Sequence, residues 1–117
     1  MKILKKTDIE NFLKEDNLYD EDSDFIWATK GSLYFIVAFV EKGIVLLPIG
    51  ALGDLTGDIS LLEKQDIKSV EFKKKLLGYK LIISDSNSDS FSFVVRPFMI
   101  GYKGQKESIA NIIANLI

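Results

Sequence analysis

Lysines and leucines meet in one stretch of the chain, Lys73-Lys74-Lys75-Leu76-Leu77-Gly78-Tyr79-Lys80. A lysine ammonium is a compact positive charge that binds phosphate oxygens. Near an anionic leaflet each such charge is worth about 1 kcal/mol, and apolar residues exposed at a hairpin tip reach into the membrane interface. The candidate contact for an anionic ligand or a membrane is therefore Lys73, Lys74, Lys75, Leu76, Leu77 and Lys80. The structural alternative is a solvated strand whose lysines face water, with one leucine in the core.

The charge is unevenly spread. Residues 68–80 hold five Lys against Glu71, whereas residues 1–24 hold four Lys and eight acids, within a chain of net charge −2. A basic strip and an acidic leader on one small domain either attract each other or face different partners. The acidic run Asp20-Glu21-Asp22-Ser23-Asp24 has oxygen ligands for Mg²⁺ or Ca²⁺, but such sites need ligands folded around the ion. A solvated loop is the expectation. Asp85, Asn87 and Asp89 match the first ligands of an EF-hand loop. Ser90 then stands where the invariant Gly belongs and Arg96 where the bidentate Glu belongs, so 85–90 reads as a polar hairpin turn. Gly50, Gly53 and Gly57 follow a strand but lack both the G-x-G-x-x-G and the G-K-[ST] spacing, which leaves a connection.

With no His and no Cys, the commonest general base, thiolate chemistry and the usual transition-metal ligands are missing. No catalytic, metal or cofactor residues are assigned, and an enzyme is not expected. Nucleic acid is not expected either, because the chain is acidic and the basic strip is short.

The elements that must position the lysines are organised around Leu33–Ile49. Leu33 to Val40 is an unbroken apolar run rich in aromatic and β-branched residues. Ile44 to Ile49 is a second, and Glu41-Lys42-Gly43 joins them as a three-residue hairpin loop with Gly43 at positive φ. A transmembrane reading fails, since a span needs about 20 apolar residues and Glu41 and Lys42 would each cost ~2.5–3.5 kcal/mol at mid-membrane. A hairpin apolar on both faces needs two covers: the core on one side, and a helix, second sheet or partner chain on the other. Pro48 marks an edge or a bend.

Thr7-Asp8-Ile9-Glu10 has capping-box spacing, and Ile9, Phe12 and Leu13 form one stripe of a helix over 8–15. Phe25–Thr29 is a strand turned by Lys30-Gly31-Ser32, and 59–62 is a short strand or irregular. Lys68–Lys74 alternates with Val70 and Phe72 inward. Tyr79, Leu81 and Ile83 share a face of the next strand, and Phe91, Phe93 and Val95 a face of the last. Arg96-Pro97 ends it, and 101–104 is a connection. Ile109, Ile112, Ile113 and Leu116, with Ala110 and Ala114 beside them, make an amphipathic helix from Gln105 to the end. Such a helix docks on the open end of its own sheet.

A short helix, four strands, a three-stranded meander and a terminal helix resemble the pleckstrin-homology-like (PH-like) superfold, in small bacterial versions related to GRAM domains. The residues that carry it are Ile67-Lys68-Ser69-Val70-Glu71-Phe72 after Asp66, then Lys80-Leu-Ile-Ile, Phe91-Ser-Phe-Val-Val and the final helix. The resemblance covers residues 24–117. It implies an α+β, mostly β fold of about seven antiparallel strands in two near-orthogonal sheets closing a barrel, plugged by Ile109, Ile112, Ile113 and Leu116. It also implies binding of phosphoinositide, peptide or protein rather than catalysis. Lipid-binding members carry a basic loop between their first two strands, where this chain has only Lys30.

At 117 residues one domain is expected, with a helix and acidic loop in 1–23, a barrel in 24–96 and a capping helix in 104–117. Met1 to Lys6 offers no secretory leader, so the expected location is cytoplasmic, peripheral to the membrane if the basic hairpin binds lipid. The expected function is a non-catalytic binding or scaffold module for a protein partner or homo-oligomer. The alternative is peripheral contact with anionic lipid through Lys73–Lys80.

Overall fold

In the computed structural model, the described residues are 6–21, 23–50, 59–76, 78–96 and 105–116. Seven strands run β1 (Asp24–Lys30), β2 (Leu33–Val40), β3 (Gly43–Ile49), β4 (Ser60–Glu63), β5 (Ile67–Lys75), β6 (Gly78–Asp85) and β7 (Ser90–Val95). Helix α1 (Lys6–Glu15) precedes them, helix α2 (Gln105–Leu116) follows, and a single 3-10 turn, Lys64–Asp66, separates β4 from β5. All pairings are antiparallel, in the order β4-β3-β2-β1-β7-β6-β5. The elements follow the expected sequence, β2 with the expected bounds. Helix α1 includes Thr7, so Thr7 is not its N-cap. The expected connections at 51–58 and 101–104, and Leu77, lie outside the described residues.

The two covers of the central hairpin are both inside the chain. On one face Ile9 and Leu13 of α1 pack with Phe25, Ile36, Ala38, Val45 and Leu47, all buried. On the other, Ile26, Val37 and Ile44 join Leu81, Ile83, Phe93 and Val95 from the second half of the sheet, and Ile109 and Ile112 of α2. Ala110 and Ala114 are exposed, so the buried stripe of α2 is narrower than expected. Strand alternation makes the division, since successive residues point to opposite faces.

The sheet curls over this second cluster. Strands β2 and β5 stand four places apart in the order; in a flat sheet that would be about 19 Å at ~4.8 Å per step. Yet the rings of Phe39 on β2 and Phe72 on β5 are 6.5 Å apart, and Phe35 meets Phe93 edge-on at 5.7 Å. The curl does not become a closed ladder: β4 and β5 are the edges of the sheet, unpaired with each other among the described residues. The expected closed barrel is therefore seen only as a strongly curled sheet.

Two turns differ from expectation in detail. Gly43 pairs with Val40 inside the β2–β3 ladder, so the loop is Glu41-Lys42 alone, although Gly43 does hold φ +148. Pro48 is paired with Phe35, and the register of β3 with β4 ends at Leu46, so Pro48 lies where β3 has left β4, as a residue without a ladder N–H should.

The acidic leader is tied to the β2–β3 turn. The Asp20 carboxylate accepts the Glu41 N–H at 2.8 Å, and Lys42 Nζ donates to the Asn17 carbonyl at 3.1 Å. Tyr19 OH donates to Glu10 Oε2 at 2.7 Å, with Lys14 Nζ 4.9 Å from the ring centre. The bond to Glu10 raises the Tyr19 pKa above 10.0, aided by partial desolvation and by the Glu10 charge. A folded-state pKa above the unfolded value contributes stability that is complete below pH 10 and lost as pH climbs through the folded value. Glu10→Gln is therefore expected to move the Tyr19 ultraviolet titration down towards 10.0. The same change removes Tyr19's share of the alkaline stability loss, measured as denaturation midpoints above pH 9.

Candidate anion-binding cleft

The basic hairpin is built by β5 and β6, paired as Lys73↔Lys80, Lys74↔Tyr79 and Lys75↔Gly78. The pleat splits the lysine run. Lys73, Lys75 and Lys80 share the outer face, whereas Lys74 lies on the opposite face with Tyr79 and Phe72. A run of three adjacent lysines thus presents two to one surface. Leu76, at the tip, is 97% exposed, so it is not a core residue.

The register extends the outer face across four strands. Lys73 pairs with Lys80, Lys80 with Val94, Val94 with Thr29, and Thr29 with Tyr34. The middle of this row, Thr29, Val94 and Lys80, forms the floor of a cleft of about 310 Å³. On one side rise Lys30 and Gly31 of the β1–β2 turn; on the other, Lys75, Gly78 and Arg96. Ser92, Phe93 and Tyr79 complete the described wall, and no acidic residue lines it. The nearest acid on the same face of β5 is Glu71, one row beyond Lys73. Lys30 lines the cleft, and its ammonium lies 5.3 Å from the ring centre of Phe91 and 5.9 Å from that of Phe93, rings on the core-facing side of β7.

A buried amide keeps the cleft in shape. Among the described residues strand β1 pairs with β7 at Thr29↔Val94 alone, and one step further Trp27 and Arg96 are not paired in the ladder. Gln105, the first residue of α2 and 1% exposed, fills the gap. Its Oε1 accepts the Trp27 N–H at 2.9 Å, while its Nε2 donates to the Trp27 carbonyl at 2.9 Å and the Arg96 carbonyl at 3.1 Å. The side chain stands in for the missing strand and anchors the backbone of Arg96.

Of the expected set, Lys75 and Lys80 line the cleft, joined there by Lys30, Arg96 and Ser92; Lys73 lies beside Lys80 on the same outer face, Leu76 stands at the hairpin tip, and Lys74 is on the other face. Leu77 lies outside the described residues. The other sequence candidates serve the fold. Asp85 Oδ1 accepts the N–H groups of Asn87 at 3.0 Å and Asp89 at 2.9 Å, which makes 85–90 the turn between β6 and β7. Among the described residues no three acids converge in a metal-binding arrangement, and no helix is long and apolar enough to cross a membrane.

No known protein family matches the chain, and no curated protein matches it. Among solved structures it is similar to the C-terminal domain of an unknown protein from Leishmania infantum, with a TM-score of 0.57 and 10% sequence identity over 92% of this chain and 94% of that one. At that identity the similarity concerns the fold alone.

Proposed function

We propose that the chain is a non-catalytic, PH-like binding module whose basic cleft receives an anionic, phosphate-bearing ligand. One observation carries the reading: cations from three separate segments, Lys30, Lys75 with Lys80, and Arg96, surround one concavity that has no acid in its described wall. Clustered cations in a concave surface focus positive potential and attract anions. The PH-like part of the reading is supported by the element order, by the curl that brings Phe39 to Phe72, and by α2 packed under the curl. In this reading the two halves of the sheet are the near-orthogonal walls of a barrel. A protein partner or second copy was expected because the central hairpin needed a second cover. Helix α1 provides that cover, so the hairpin no longer argues for one.

Titration with inorganic pyrophosphate, followed by amide NMR shifts, tests the proposal. Saturable shifts at Gly31, Gly78 and Ser92 are expected, with affinity at least tenfold weaker in Lys75→Glu/Lys80→Glu. Shifts scattered over the whole surface, or an unchanged affinity in the double variant, would defeat it.

A further inference from the structure

We propose that the cleft and the β5–β6 hairpin beside it form a membrane-docking surface: Leu76 inserts into an anionic leaflet, while Lys73, Lys75, Lys80 and Arg96 rest on its phosphates. This rests on the anion-binding reading above and names the source of the anion as a bilayer.

The first ground is Leu76. A leucine 97% exposed at the end of a hairpin does nothing for the core. Removing that apolar surface from water is favourable wherever an apolar phase is offered. The second ground is the setting of that leucine. Lys75 precedes it, and Lys73 and Lys80 flank the same hairpin on its outer face. An anionic leaflet satisfies both chemistries at once, since acyl chains lie just beneath a plane of phosphates. A soluble protein partner would have to offer an apolar socket ringed by acids. The third ground is the outer face of the sheet on which the cleft opens. Tyr34 and Val94, 48% and 49% exposed, lie in the same row as Lys80 and Lys73, so the cationic face is amphipathic across its width. Lysines at the rim keep their ammonium groups at the phosphates while their methylene stems cover apolar surface. With several exposed cations spread over one face, the attraction is to surface charge density and falls as salt screens it.

The chain has no cysteine, so one introduced cysteine carries a single label. Leu76→Cys and Ser86→Cys, the latter on the turn at the far end of β6, are each coupled to a polarity-sensitive fluorophore. They are mixed with vesicles of phosphatidylcholine alone, or of phosphatidylcholine with phosphatidylglycerol. The expected result is a blue shift of the Leu76 label with the phosphatidylglycerol vesicles only, reversed by high salt, and none at Ser86. Unlabelled Lys75→Glu/Lys80→Glu is expected to bind those vesicles at least tenfold more weakly in co-sedimentation. Leu76→Asp is expected to bind several-fold more weakly while keeping its pyrophosphate shifts. A shift at Ser86 and not at Leu76 overturns the docking geometry. Pyrophosphate binding without vesicle binding overturns the membrane inference alone and leaves the cleft to a soluble phosphorylated ligand. Loss of both in the folded wild-type chain overturns this inference and the anion-binding reading together.

Discussion

Gln105→Leu is expected to destabilise the domain by about 3 kcal/mol, because three part-buried hydrogen bonds are lost at once and an unsatisfied buried polar group costs about 1–3 kcal/mol. The Trp27 N–H, the Trp27 carbonyl and the Arg96 carbonyl all lose their side-chain partner. Leucine has nearly the same volume, so the effect reports polar satisfaction and not a cavity. For a domain of this size the melting temperature should fall by on the order of 15 °C. Gln105→Glu should be no better: its carboxylate can still accept the Trp27 N–H, but it cannot donate to two carbonyls and brings a charge into a buried site. Thermal and denaturant unfolding measure the loss. Hydrogen exchange at the Trp27 amide locates it, since that proton should exchange much faster in either variant. Protein still folded in Gln105→Leu should also bind pyrophosphate more weakly, because the Arg96 backbone is no longer anchored at the cleft wall. A melting temperature within a few degrees of wild type would show that the Gln105 amide is not the link between β1 and β7.

Gly78→Ala is the second large effect, expected at about 3 kcal/mol or more. Gly78 opens β6 at φ +153, a conformation that disfavours any Cβ, and an added Cβ would run into the Val95 carbonyl oxygen, with Arg96 Cα 3.3 Å away. Those obstacles are backbone, so relief requires β6 and β7 to separate at the point where they form the cleft. Gly31→Ala is the control. Gly31 also has positive φ, +62, but nothing lies within 4 Å of an added Cβ, so only the backbone term of about 1–2 kcal/mol applies. Chemical denaturation of both variants should rank Gly78→Ala well below Gly31→Ala. Equal losses would mean that β6 and β7 are not as close at Gly78 as described.

The same residues show how function sits on this fold. Gly78 lets β6 start against the end of β7, Gln105 fixes the Arg96 backbone, and the Phe91 and Phe93 rings hold Lys30. Each positions a cation without touching the ligand. A variant that loosens one of them should weaken anion binding in proportion to the movement it permits. A lysine-to-alanine change at the rim should remove only one charge's worth of attraction.

Local pattern was enough to read six of the strands and left 59–62, which holds most of β4, open between strand and irregular chain; where it succeeded, the side-chain period of two is written directly into the order of residues. Val70 with Phe72, Tyr79 with Leu81 and Ile83, and Phe91 with Phe93 and Val95 face the core side together, as alternation required. The run Leu33–Val40, apolar on both faces, demanded two covers. That demand came from the sequence; the identity of the covers, α1 on one side and the curled second half of the sheet with α2 on the other, did not. The cleft was half legible. Lys73, Lys75, Leu76 and Lys80 are neighbours along one hairpin, so their proximity follows from a turn at Leu76. Lys30 and Arg96 reach the site through the pairing of β1 with β7 at Thr29↔Val94, a long-range event without a local signature. Gln105 was hidden for the same reason: a glutamine at the start of a helix looks like a solvated residue until the helix is docked against the gap it fills. Periodicity determines which way a side chain points, because it depends on the backbone alone. Which side chains converge depends on how far the sheet curls, and that is decided by packing between residues distant in the chain.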